Sequence, residues 1–136
     1  MPRLLVIDDD ASVTRGLARL FGKRDHTVRI VQDARRALAV ATEFQPDAVI
    51  LDLATPWLAV PHAHRALTGG GVFASFSPTI EQVMRTVSAL RGSPFVEVET
   101  VELILRRIIV AEGRTRPETL MIGHSGYTTT ARKATS

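Results

Sequence analysis

Along most of the chain, short apolar runs alternate with segments whose apolar positions recur every three to four residues, the pattern of buried strands alternating with amphipathic helices. Leu4-Leu5-Val6-Ile7 suits a buried parallel strand and ends in Asp8-Asp9-Asp10. Asp10 or Ser12 caps a helix carrying Val13, Leu17, Leu20 and Phe21 on one face, and Gly22 ends it. Thr27 to Val31 predicts the second strand. Asp33 caps a second helix through Phe44, and Pro46 prevents its continuation. Ala48-Val49-Ile50-Leu51 is the third strand, expected to be buried on both faces, with Asp52 at its carboxyl end. Thr55-Pro56 opens a helix from Trp57 towards Leu67, which Pro61 should kink or shift. After Gly69-Gly70-Gly71 comes a strand from Val72 to Phe76; Ser77-Pro78 repeats the cap-and-proline device, and Ile80, Val83, Met84, Val87 and Leu90 form a helical stripe that Gly92 ends.

The last third reads differently. Phe95 to Val110 is rich in β-branched residues whose alternation changes phase near Thr100, as in one long bulged strand; a helix over Val101 to Ile109 is the competing reading. Glu112 to Glu118 is a polar loop, and Leu120 to Ala131 is the closing strand. With no helix between them, these last two strands should pair antiparallel. The expected fold is α/β, a three-layer sandwich around a mostly parallel sheet. Its strand order is 2-1-3-4-6-5, with the last strand antiparallel and right-handed crossovers throughout.

A length of 136 residues suits one domain, expected over 1–136. The chain has no cysteine and no apolar run of the ~20 residues that cross a bilayer. Its start turns acidic too soon for a signal peptide, so a soluble, cytoplasmic (recombinant) protein is expected. Charge is uneven: all the aspartates lie at or before Asp52, the first 52 residues carry eight basic and eight acidic side chains, and the remainder carry nine against six. The basic back half admits an RNA partner, but its arginines are scattered as on a solvated surface.

Acids at the end of the first strand, with another at the end of the third, converge where open α/β sheets place their ligands. Two carboxylates, a backbone carbonyl and waters outline a hard-cation site of the kind Mg²⁺ accepts. The motifs Leu5-Val6-Ile7-Asp8-Asp9-Asp10 and Pro46-Asp47-Ala48-Val49-Ile50-Leu51-Asp52-Leu53 resemble a response-regulator receiver domain, which is flavodoxin-like. That resemblance implies Asp8 and Asp9 as Mg²⁺ ligands beside Asp52, Asp52 as phosphoacceptor and the Ala54 carbonyl as backbone ligand. A receiver also has a hydroxyl residue ending its fourth strand, for which Ser75 or Ser77 can stand in. It further needs a lysine before proline, and neither Lys23 nor Lys133 precedes one.

From Leu51 onward the chain is similar to the tRNA adenine-N1 methyltransferases, whose fold is Rossmann-like. The residues that carry this are Leu51-Asp52-Leu53 with Pro56-Trp57, Gly70-Gly71-Val72-Phe73-Ala74-Ser75-Phe76-Ser77-Pro78 with Glu81-Gln82-Val83, and Arg116-Pro117-Glu118 with Gly123-His124-Ser125-Gly126-Tyr127. The resemblance implies that Asp52 lies beside the adenine. It places a glycine-rich methyl-donor loop where this chain has Asp8-Asp9-Asp10, and an acid where it has Val31-Gln32-Asp33; three carboxylates should repel the donor's own. Elsewhere His62 and His64 lack the i, i+4 spacing of a metal pair and read as surface. His124 reads as a turn residue, and Gly69-Gly70-Gly71 precedes a strand rather than a helix.

The expectation is a flavodoxin-like/Rossmann-like hybrid, an engineered or recombined chimera joining a receiver-like half (1–53) to a methyltransferase-like half (54–136). It should have no evolved catalytic activity and no required cofactor, and no nucleic-acid, membrane or other partner, as a monomer or weak homodimer. Two alternatives stay open: a degenerate receiver-like module binding Mg²⁺ weakly at Asp8, Asp9 and Asp52 with Asp52 a vestigial phosphoacceptor, and a tRNA adenine-N1 methyltransferase fragment lacking its methyl-donor site.

Overall fold

A computed structural model describes residues 2–8, 26–120 and 126–135. Strand β1 (Arg3–Asp8) is flanked in parallel by β2 (Thr27–Val31) and, after helix α1 (Ala34–Phe44), by β3 (Ala48–Asp52). Helix α2 (Pro56–Ala66) leads to β4 (Val72–Ser77), parallel to β3, and helix α3 (Ile80–Arg91) leads to β5 (Phe95–Glu102). Two short strands follow, β6 (Ile108–Ile109) and β7 (Arg116–Pro117), paired with each other outside the main sheet. The last strand, β8 (Tyr127–Lys133), enters antiparallel between β4 and β5, giving the order β2-β1-β3-β4-β8-β5.

The expected order 2-1-3-4-6-5 counted one strand over 95–110; the separate β6 and β7 make the inserted strand the eighth. Residues 95–110 divide because β5 bulges between Val96 and Glu99, where Glu97 takes φ +55, and then leaves the sheet after Glu102. The closing strand starts at Tyr127 rather than Leu120, with 121–125 outside the described residues. The helix expected over Val13 to Phe21 also falls outside them.

Helix boundaries follow local chemistry. The Asp33 carboxylate accepts the Arg35 backbone N–H at the start of α1, and Gln45 ends it in a left-handed conformation ahead of Pro46. Proline starts α2 at its first position, and that helix continues through Pro61. Helix α3 is capped by Thr79 and not by Ser77: the Thr79 hydroxyl accepts the Gln82 N–H, and the Gln82 side chain accepts the Thr79 N–H in return. Ser77 instead closes β4, buried. Gly71 permits the tight return into β4, because a Cβ there would crowd the Thr68 and Asp47 carbonyl oxygens.

Packing of α1, α2 and α3 on one face of the sheet buries Leu5, Ile7, Val49, Leu51 and Phe73 with Ala37, Phe44, Val60, Ala63, Leu67 and Leu90. Strand alternation and the register then fix the other face: Val6, Asp8, Ile50, Asp52, Ala74 and Phe76 point away from these helices. Ile50 is therefore only half-buried among the described residues, against the expectation of a strand buried on both sides.

Candidate functional site

Every sequence-selected acid in the described residues lies at the carboxyl edge of the sheet. Asp8 ends β1 and Asp52 ends β3, and the two are direct partners in the parallel register. Neighbouring strands run about 4.8 Å apart, so the two carboxylates leave one face of the sheet side by side. Asp8 is almost fully buried at 1% exposure, and Asp52 is half-buried. Asp9, the third expected ligand, lies outside the described residues. Among those described, no group of three or more His, Cys, Asp or Glu is placed to hold a metal ion.

Two supporting expectations change. Ser75 pairs in register with Leu51, so Ser75 and Ser77 point to the helix-covered face, opposite Asp52. Neither can complete a phosphoryl site there; both hydroxyls are buried without a hydrogen-bond partner among the described residues. The Ala54 carbonyl, expected as a backbone ligand, accepts Gln82 Nε2 at 3.0 Å. Gln82 thus caps α3 and fastens the loop after β3 to it, which holds the backbone next to Asp52. On that rim the Arg85 guanidinium lies 5.2 Å from the centre of the Trp57 ring and pairs with Glu81 at 2.8 Å.

Sequence reasoning missed Gln82 and Arg85, although Thr79-x-x-Gln82 is a readable capping box. It also missed Asp47, whose carboxylate takes the Arg3 N–H at 2.8 Å and the Thr68 hydroxyl at 3.0 Å. The Arg3 N–H chiefly lowers its pKa. Asp47 precedes β3 at the far edge of the sheet, where it ties β1 to the turn before β4.

The histidines divide. His62 is exposed with Nδ1 2.7 Å from Arg65, while His64 is half-buried with its ring edge-on to Phe95 at 5.4 Å. The surface reading fails for His64 because the helix turns that position inward over β5; His124 lies outside the described residues. Burial, and then the nearby Lys133 ammonium, push the His64 pKa down. The unfolded chain then takes up a proton that the fold refuses, so stability should be full above pH ~6.5 and fall as the pH drops through the folded value. Melting between pH 7.5 and 5 should show a smaller decline in His64→Gln than in the native chain; equal declines would remove His64 as the cause.

This geometry has known counterparts. The sequence pattern of the tRNA methyltransferase complex GCD14 subunit family matches residues 25–133. The tRNA (adenine(57)-N(1)/adenine(58)-N(1))-methyltransferase TrmI of Methanocaldococcus jannaschii is 36% identical over 126 residues, covering 92% of this chain and 41% of that protein. The chain therefore spans about two fifths of that relative's length. The crystal structure of tRNA (m1A58) methyltransferase TrmI from Aquifex aeolicus superimposes with a TM-score of 0.75 at 20% identity, over 99% of this chain and 63% of that one, a likeness of fold. The response regulator MprA of Mycolicibacterium vanbaalenii is 41% identical over 56 residues, 41% of this chain and 24% of that protein.

The family match starts at residue 25, ahead of the expected join at 53, while the response-regulator likeness spans 56 residues, so the methyltransferase part of the expected architecture is the part supported. Two expectations are overturned. The relatives are enzymes, against the expectation of a protein with no catalytic activity. They are named for tRNA, and the family for a complex, against the expectation of no nucleic-acid or protein partner. Among the described residues no helix is long and apolar enough to cross a membrane.

Proposed function

Because the chain belongs to the tRNA methyltransferase complex GCD14 subunit family, we propose that it forms the catalytic α/β part of an enzyme that methylates N1 of a tRNA adenosine, with S-adenosylmethionine as donor. The carrying observation is the carboxylate pair Asp8 and Asp52, brought together at the carboxyl edge by the β1–β3 register. The donor bears a sulfonium and an ammonium against a single carboxylate, so it is a net cation. Side-by-side acids therefore suit it, and the repulsion argued from three aspartates falls on its one anionic group only. Asp8, deeply buried, would hold the ammonium. Bound there, the donor supplies an electrophilic methyl group.

Asp52 serves the acceptor. N1 lies on the pairing edge of adenine, so the base must leave its stack to be reached. A half-buried carboxylate beside it accepts a hydrogen bond from the exocyclic amine, which orients N1 and raises its electron density. When N1 takes the methyl group the ring becomes cationic, and Asp52 stabilises the charge that develops. Gln82 keeps the Asp52 loop in place through the Ala54 carbonyl. Residues 1–136 act as one unit, with the front half supplying both acids and the back half their support. Scattered surface arginines meet the tRNA backbone, a role compatible with a cytoplasmic protein, and the exposed apolar residues on either side of Arg106-Arg107, from Leu103 to Val110, meet another subunit.

A second reading is favoured by the same pair and by the receiver-like first 53 residues: Asp8 and Asp52, with Asp9, would take Mg²⁺, and Asp52 would accept a phosphoryl group. Calorimetry separates the two. S-adenosylmethionine should bind with Kd between about 1 μM and 1 mM, weakened about tenfold in Asp8→Asn. If it gives no saturable heat, while 10 mM Mg²⁺ raises stability by about 1.4 kcal/mol (the value for a Kd near 1 mM), the second reading replaces the first.

A further inference from the structure

Helices α1 and α2 leave a cavity of about 360 Å³ between them, on the face of the sheet away from Asp8 and Asp52. Its floor is Leu5, Ile7, Val49 and Leu51, all buried. The walls are narrow side chains at helical spacing, Ala37 and Ala41 on α1 and Ala59, Ala63 and Ala66 on α2. Five alanines leave the space open between the helices, and the longer apolar helix side chains that line it, Leu38 and Leu58, stay exposed. An apolar cavity of ~150 Å³ already accommodates benzene, and small-molecule sites begin at about 300 Å³.

The mouth has a different character. Arg35, Thr55 and His62 lie along it, with Leu38 and Leu58 exposed beside them. The Thr55 hydroxyl makes no cap bond to α2. Asp33 engages Arg35 through Nε and Nη2 at 3.3 and 3.4 Å, leaving Nη1 uncommitted among the described residues. Arg65 stands against His62. An arginine paired with Asp33, a histidine and a hydroxyl thus edge an apolar well.

We infer that this cavity binds a small amphipathic anion, an aliphatic or aromatic carboxylate whose apolar body fills the well and whose carboxylate meets Arg35 and Thr55 at the mouth. The apolar body would bind by leaving water, and the carboxylate would fix the orientation through a charge-assisted hydrogen bond.

Octanoate, 1-octanol and octylamine share one chain and differ in the head group, so calorimetric titration of the intact chain with each reads the two contributions separately. Octanoate should bind saturably, about tenfold tighter than octanol, with octylamine weakest. Arg35→Gln should bring octanoate to the level of octanol. Ala63→Leu, or Ala41→Leu if the first fails to fold, should abolish binding of all three with the melting temperature held or raised, while S-adenosylmethionine affinity is unchanged. Absence of saturable octanoate binding to the folded chain overturns the inference, as does octanoate bound as tightly after the well is filled. Octylamine binding as tightly as octanoate would overturn the anionic specificity.

Discussion

Asp52→Asn is expected to lower methyl transfer to tRNA adenosine by about a hundredfold or more while leaving the fold intact. A hundredfold corresponds to about 2.7 kcal/mol of transition-state stabilisation, within the range for one preorganised electrostatic partner of a developing charge. Asparagine keeps the size and a hydrogen-bond acceptor, so the methyl acceptor should still be oriented; what is lost is the negative charge facing the cationic product. The same substitution removes one of two adjacent carboxylates, so urea melts of the ligand-free protein should show it neutral or stabilising by up to ~1 kcal/mol. Clear destabilisation would assign Asp52 to the framework rather than the chemistry.

The second large effect concerns the join between the halves. Leu51, the fourth residue of β3, is fully buried beneath α2 and between β1 and β4. Leu51→Ala should cost roughly 2 to 5 kcal/mol, a large share of a domain's stability. Ile50→Ala, one position along and half-buried on the other face, should cost less. If 1–136 fold as one unit, far-UV circular dichroism and Trp57 fluorescence should report a single transition that Leu51→Ala lowers in both. Two separate transitions, with only one of them moved, would mean that the halves fold independently.

Strands β1 and β3 could be read from the sequence because buried parallel strands are unbroken apolar runs, and both end in acids that adjacency in the sheet brings together. The stretch from Leu103 to Leu120 could not be read in this way. Leu103 and Val110 are 80% exposed and Leu120 86%, whereas apolar patterning takes such residues to be interior. That assumption fails where apolar side chains stay on the surface, as the proposed contact with another subunit requires. The Gln82–Ala54 bond joins positions 28 apart and follows from the packing of α3 against the loop after β3, which no local pattern encodes. The serines failed for a related reason: which face they occupy depends on the β3–β4 register, and a shift of one residue would have put them beside Asp52.

Incubation of the chain with unmodified tRNA and S-adenosylmethionine, followed by nucleoside mass spectrometry, tests the central claim most directly. The expected result is time-dependent formation of 1-methyladenosine, abolished without donor and reduced at least a hundredfold in Asp52→Asn. No 1-methyladenosine from folded protein that binds the donor, or equal amounts from the native chain and Asp52→Asn, would contradict it.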